Sequence, residues 1–312
     1  MINTSDILAA AQLLKNGGLV AFPTETVYGL GADATSDAAV ARIFAAKQRP
    51  QFNPLISHVP DAEAAFRLGD FPKQAKVLAN AVWPGALTII VERRKDCPIS
   101  LLCSAGLSSV ALRVPAHPVA QALLQAVGRP LAAPSANRSG RISPTAADHV
   151  RASLGDAVQM ILDGGPSTVG VESTVVRFTE NGPYLLRSGG IPREVISTIL
   201  GRQVMDPTRY DTDLHSPGQL ESHYAPQAQL RLNAAAPEWR EAYLGYGDYA
   251  YGPWNLSKSG NLQEAAANLF NMLHVIDDSS PEAIAVAPIP MTGLGEAIND
   301  RLQRAAAPRP KS

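Results

Sequence analysis

Apolar residues recur at helical spacing at the start of the chain, where Ile7, Leu8, Ala11 and Leu14 share a stripe. Thr4 or Ser5 stands where an N-cap belongs, and Gly17-Gly18 closes the segment. The apolar run 19–22 reads as a strand. Past a polar turn, 37–48 (DAAVARIFAAKQ) predicts a second helix, and 55–59 (LISHV), opened by Asn53-Pro54, a strand. Further strands are expected at 86–92, 109–115, 130–134, 159–163, 172–178 and 183–187, with helices at 72–82, 117–127 and 144–154 between several of them. That alternation is an α/β layered domain. Strands that follow one another without a helix imply a mixed sheet.

From Met205 to about Gln229 the periodicity disappears, a stretch long enough to be a linker or a functional lid. Beyond it, a helix at 261–274, a strand at 283–289, the turn Gly293-Leu294-Gly295 and a closing helix resemble one βαβ half. The expected division is a first domain at 1–205, a linker or lid at 206–229, and a small Rossmann-like α/β domain at 230–312.

Composition narrows the class. With 46% hydrophobic residues, 18% charged and a net charge of −1 over 312 residues, the chain is an ordinary globular protein and not a disordered one. The near-zero charge hides a split: residues 1–205 carry a net +4 and 206–312 a net −5. An excess of four is too small to argue nucleic acid, but it favours an anionic ligand in the first part. Cys97 and Cys103 offer neither a zinc site nor a disulfide framework and read as reduced thiols. The start of the chain has no basic leader, and no apolar run approaches ~18 residues, so a cytoplasmic protein with no membrane contact is expected.

The common signatures are missing: there is no GxxxxGK[ST] phosphate loop and no GxSxG elbow. Gly29-Leu30-Gly31 with Ala34 imitates a dinucleotide fingerprint but lacks an acidic ribose partner, so its glycines read as turn-formers; Gly293 and Gly295 read as helix caps. Three segments are harder to explain as scaffold. PTETVYGLGADA (23–34) crowds hydroxyl, carboxylate and phenol groups at a strand-to-loop turn. KQRPQFNPLISHV (47–59) puts Lys47 and Arg49 at a helix end, where simple C-capping is the alternative, with Asn53 and His58 around the next strand. PSANRSGRISPTAADHV (134–150) ends in Ser143-Pro144 at an expected helix start, which could hold phosphate or merely be an N-cap with Pro at N1. With GVESTVV (170–176) and LLRSGG (185–190), these supply Lys, Arg, Ser, Thr and Asn at strand ends, a set that fits a triphosphate held without a P-loop.

PTETVYGLGADA, KxRP with NPL and His58, WPGALTIIV (83–91), ALRVP, PSANxSG, DGG with GVESTVV, and LLRSGG together resemble the YrdC/Sua5 family, in order across nearly the whole first domain. SPGQLESHYAP (216–226) and the tail are similar to its longer Sua5 subgroup. The resemblance implies a YrdC-like twisted open mixed sheet around a concave, positively lined cavity. It also implies condensation of L-threonine, bicarbonate or CO2, and ATP to L-threonylcarbamoyl-AMP and pyrophosphate. A downstream tRNA threonylcarbamoyl transferase complex would then modify adenosine 37 of tRNA (t6A), with a tRNA contact conceivable. Mg²⁺ would accompany ATP, with no resident metal. By the same resemblance Thr26, His58, Arg113 and Ser173 would hold L-threonine; Arg49, Asn53, Ser109, Ser135, Asn137, Ser143, Arg187 and Tyr224 would hold ATP. Lys47 and Arg49 would serve catalysis against the phosphates. Ala133 stands where many members carry Thr before the SAN motif. Two rival readings stand beside that resemblance: a non-catalytic tRNA- or double-stranded-RNA-binding module, against which the chain shows only 6% aromatic residues, and a carbamoyl-adenylate enzyme of hydrogenase maturation, whose zinc segment the two cysteines cannot supply.

Overall fold

The computed structural model describes residues 2–50, 53–207 and 223–308. Residues 208–222, most of the expected linker or lid, lie outside the described residues. The first part contains helices α1 (Thr4–Lys15), α2 (Asp37–Lys47), α3 (Ala62–Leu68), α4 (Lys73–Val82), α5 (Pro118–Val127), α6 (Ala147–Leu154) and α7 (Arg193–Leu200). Its strands are β1 (Val20–Phe22), β2 (Gly29–Asp33), β3 (Ile56–His58), β4 (Gly69–Asp70), β5 (Leu87–Arg93), β6 (Ser109–Arg113), β7 (Leu131–Ala132), β8 (Met160–Ile161), β9 (Thr174–Thr179) and β10 (Gly182–Arg187). Among the described residues these strands form one sheet in the order β10-β9-β5-β6-β3-β7-β2-β1-β8, with β4 on β5. The pairing is mixed: β3–β6 and β5–β9 run parallel, β5–β6 and β9–β10 antiparallel.

The middle of the sheet alternates with period two, which separates its faces. Leu87, Ile89 and Val91 of β5, Val110 and Leu112 of β6, Val176 and Leu185 join a core built with α2, α3, α4 and α7. The intervening Ile90, Ala111, Val175, Tyr184 and Leu186 meet Ile56 in a separate, smaller cluster on the other face. That face is the floor of the site. A third cluster joins α1 to α5 around Val20, Phe22 and Leu131.

Three local expectations are corrected. The N-cap of α1 is Asn3, not Thr4 or Ser5: its side chain accepts from Asp6 N at 3.0 Å while the Asp6 carboxylate accepts from Asn3 N, a reciprocal capping box. Gly29 and Gly31 form no turn; they lie within β2, where a Cβ on Gly31 would sit 2.8 Å from Phe22 Cε1, so the glycine makes room for an aromatic ring. Helix α6 begins at Ala147 after an Ala146 N-cap, so Ser143-Pro144 do not start it. The short elements α3, α7 and β4 were not among those expected from the sequence.

The second part adds β11 (Gln229–Arg231), β12 (Glu241–Gly245), β13 (Trp254–Asn255), α8 (Leu262–Asp278), β14 (Ala283–Val286) and α9 (Leu294–Ala306). Its four strands pair in parallel in the order β11-β14-β12-β13, where the sequence had shown one strand. Gly293 (φ 56°) is the N-cap of α9, as expected of a cap. The core of this part takes in Val27, Ile142, Val171 and Tyr224 from outside it. Gly170, at φ 76°, carries the first part against α8 so closely that a Cβ would collide with the Ala266 and Ala267 backbone.

Candidate active site

A partly enclosed recess opens over the second face of the sheet. It gathers Thr26, Arg49, His58, Arg113, Ser135, Ser173, Arg187 and Tyr224, together with Glu172 and His223. Register explains much of this. His58 ends β3 directly opposite Arg113, the last residue of β6, and Arg113 in turn faces Thr88 of β5. The Thr88 and Ser173 hydroxyls are 2.7 Å apart. Arg187 ends β10 and donates through Nε and Nη2 to the Ser173 carbonyl at 3.1 and 2.9 Å and to Ser173 Oγ at 3.1 Å. Thr26 is fully buried beside Thr24, whose hydroxyl lies 2.8 Å from the Thr26 hydroxyl and donates to the Val27 carbonyl at 2.6 Å, fixing the turn. Arg49 follows the left-handed C-cap Gln48 of α2 and donates to the Asn53 and Pro54 carbonyls at 3.4 and 3.2 Å.

Three guanidinium groups in so little solvent set the electrostatics. Burial, reinforced by Arg187, lowers Arg49 to about 10, and burial also lowers Arg187; both stay cationic at neutral pH. Arg113 is paired with Glu25 at 2.6 Å, and the other Glu25 oxygen accepts from Ala116 N at 3.0 Å. Burial alone would raise Glu172, yet Arg301, Arg187 and the Ser143 hydroxyl outweigh it and hold the carboxyl at about 2. Burial pushes His58 down to about 3, with Arg113 adding to the effect, and burial does the same to His223. Both imidazoles are therefore neutral near pH 7. The His223 Nδ1 atom, in the recess wall, is buried without a hydrogen-bond partner among the described residues. Such an atom costs about 1–3 kcal/mol unless something polar meets it, which fits a ligand surface.

Five of the expected residues do not line this recess. The Lys47 ammonium is buried against the Ser135 carbonyl at 2.6 Å and the Asn137 carbonyl, so it pins the 135–137 loop; burial lowers its pKa well below the usual lysine range, with Arg49 adding to the shift. Asn137 donates to the Arg138 and Arg141 carbonyls at 3.1 and 2.8 Å and braces the same loop. Ser143 donates to Glu172 Oε1 at 2.6 Å instead of capping a helix. Asn53 sits just before Pro54 of the wall. Ser109 shares a strand face with Ala111 and Arg113 but lies two turns of the pleat away, in an adjoining crevice with Cys103, Ser104 and Ala111; the two recesses share Pro54 and Leu55.

The chain matches known proteins along nearly its whole length. A family model described as "Telomere recombination" (Sua5_yciO_yrdC) matches residues 12–189, and one described as "Threonylcarbamoyl-AMP synthase, C-terminal domain" matches 191–307. The chain belongs to the Sua5/YrdC family. A Bacillus subtilis (strain 168) relative named threonylcarbamoyl-AMP synthase is 40% identical over 98% of this chain and 94% of its own length. Among solved structures, Pyrococcus abyssi Sua5 complexed with L-threonine matches with a TM-score of 0.90 at 36% identity, over 98% of this chain and 95% of that one. Escherichia coli YciO matches only 61% of this chain, at TM-score 0.54 and 25% identity, covering 91% of its own length. The Sua5 likeness spans both sheets, whereas a chain of YciO size covers only part of them.

Sequence reasoning passed over Glu25, Glu172, Thr88, His223 and Arg301. Each left a signal. Glu25 and Glu172 are single acids inside apolar or hydroxyl-rich motifs, and a carboxylate placed there is buried only if paired. Arg301 falls on the apolar stripe of α9 with Ala297, Ile298, Leu302 and Ala305. A cation on such a stripe calls for a buried anion.

Proposed function

We infer that the chain is a threonylcarbamoyl-AMP synthase, condensing L-threonine, bicarbonate or CO2, and ATP to L-threonylcarbamoyl-AMP and pyrophosphate for t6A formation on tRNA adenosine 37. The observation that carries the reading is the single recess holding three arginines, a neutral histidine and paired hydroxyls, in a chain 40% identical along nearly its whole length to a synthase of that name. The threonine amine, once deprotonated, attacks CO2, and a carbamate oxygen then attacks the α-phosphorus as pyrophosphate leaves. Such transfer asks for positioning and charge stabilisation, and no covalent nucleophile is needed.

Thr26, His58, Arg113 and Ser173 are assigned to L-threonine. Their supports are the His58–Arg113 register and the Thr88–Ser173 contact. Arg49, Ser135, Arg187 and Tyr224 are assigned to ATP directly, and Lys47, Asn53, Asn137 and Ser143 through the walls they hold; Ser109 takes the part of the nucleotide that reaches the adjoining crevice. Arg49 supplies catalytic charge, and Lys47 contributes through the loop it pins. No group of three or more His, Cys, Asp or Glu suited to a resident metal occurs among the described residues, and Mg²⁺ is read as entering with ATP. The division at 1–205, 206–229 and 230–312, a cytoplasmic location, and hand-over to a transferase complex and tRNA belong to the same reading. No helix of the described residues is long and apolar enough to cross a membrane.

The test is pyrophosphate release from ATP with Mg²⁺ and bicarbonate, comparing L-threonine, L-serine and no amino acid. Release that needs both threonine and bicarbonate is expected. ATP left untouched in every arm overturns the reading.

A further inference from the structure

The recess wall contains one anion that the chemistry above does not use. Glu172 lines a cavity otherwise furnished with arginines, next to the space assigned to a triphosphate. An uncompensated carboxylate there would repel the nucleotide and compete for Arg187. Beside Arg187 and the Ser143 hydroxyl, the directly paired cation comes from the second part of the chain. Arg301 of α9, fully buried, donates through Nε to Glu172 Oε2 at 2.9 Å, while Ser143 occupies Oε1. Its Nη1 donates to the carbonyl of Ser188, the neighbour of Arg187, at 2.7 Å and to Asp300 Oδ2 at 2.8 Å, and its guanidinium lies 5.5 Å from the Tyr224 ring centre. One turn later the Arg304 carbonyl accepts from His223 N at 3.1 Å. A single face of α9 thus meets Glu172, Tyr224, His223 and the residue beside Arg187.

We propose that Arg301 is a positioning residue for the nucleotide: by neutralising and orienting Glu172, the C-terminal helix sets the charge that the recess presents to the triphosphate. This rests on the synthase reading for the identity of the ligand. The Arg301 Nη2 atom is buried and without a hydrogen-bond partner among the described residues. A plain docking contact would instead be found on the flank of the interface, where Arg193 bridges Glu296 of α9 at 2.7 Å and Asp206 at 2.6 Å, away from the recess.

The full chain and the variants Arg301→Lys, Arg301→Gln and Arg301→Gln/Glu172→Gln are compared by calorimetric binding of ATP and of L-threonine, with thermal unfolding recorded alongside. Arg301→Gln is expected to weaken ATP by at least about tenfold and threonine by less than about threefold, as loss of one partner of a buried charge pair would. Arg301→Lys should recover part of the ATP affinity. The double variant, which carries no charge at either position, should recover most of it. Equal loss for both substrates, unchanged ATP affinity, or a double variant no better than Arg301→Gln overturns the proposal. If Arg301→Gln does not fold, Arg301→Lys and the double variant decide the same question. Because ATP affinity is read without turnover, a wild-type chain that releases no pyrophosphate sinks the synthase reading separately.

Discussion

Two buried arginine–glutamate pairs serve the recess with opposite polarity. In the Arg113–Glu25 pair the arginine faces the cavity and the glutamate stands behind it; in the Arg301–Glu172 pair the glutamate faces the cavity and the arginine stands behind. The first pair joins β6 to a turn of the same sheet. The second joins a loop of that sheet to a helix of the other one, some 130 positions away in the chain. Buried pairs add little net stability because desolvation offsets their attraction. What they fix is which charge a wall presents, and here one wall charge depends on the C-terminal part.

That comparison can be broken in several ways. The largest effect is expected where a guanidinium has no substitute: Arg49→Ala or Arg187→Ala should lower threonine-dependent pyrophosphate release at least ~10²-fold, the scale of losing one preorganised charge contact. Near-wild-type turnover in either variant would unseat these residues. Next, Arg113→Met leaves Glu25 buried and unpaired and should cost about 3–5 kcal/mol in denaturant unfolding, much of it regained in Arg113→Met/Glu25→Gln. Absence of that recovery would mean that the two side chains are not coupled.

Acid should act on both pairs through their neighbours. His58 and His223 are held neutral, with pKa values lowered from 6.5 to about 3, so the unfolded chain binds more protons than the folded one below about pH 6.5. Stability present above that pH should fall progressively toward pH 3. Glu172, lowered from 4.5 to about 2, adds a further loss between those values. Midpoints of unfolding measured across pH 7 to 3 check this, and His58→Asn/His223→Asn should flatten the upper part of the slope. Gly31→Ala, which drives a methyl against Phe22, should cost about 1–3 kcal/mol without a change in substrate preference. The smallest effect belongs to the exposed Asp148–Arg151 pair, where Arg151→Ala should stay within about 0.5 kcal/mol.

Helices α1, α2, α4, α5, α6, α8 and α9, the central strands and the mixed character of the sheet were legible from their periods and from the order in which they follow one another. Eight of the recess residues were named in advance through the family resemblance that the ordered motifs carry, and the fold brings them together. The order of motifs such as PSANRSG and GVESTVV carried the resemblance to a family. The tertiary structure decided the rest, for reasons that lie in contacts between distant residues. The two glycines of GLG became a strand because Phe22 packs over them; Ser143 became a partner of Glu172 because α6 starts at Ala147; Lys47 turned to loop carbonyls because its ammonium is buried beneath that loop. A sequence displays which residues are charged. Which of two paired charges faces a cavity depends on which backbone stands in front, and that exists only once α9 is docked on the sheet.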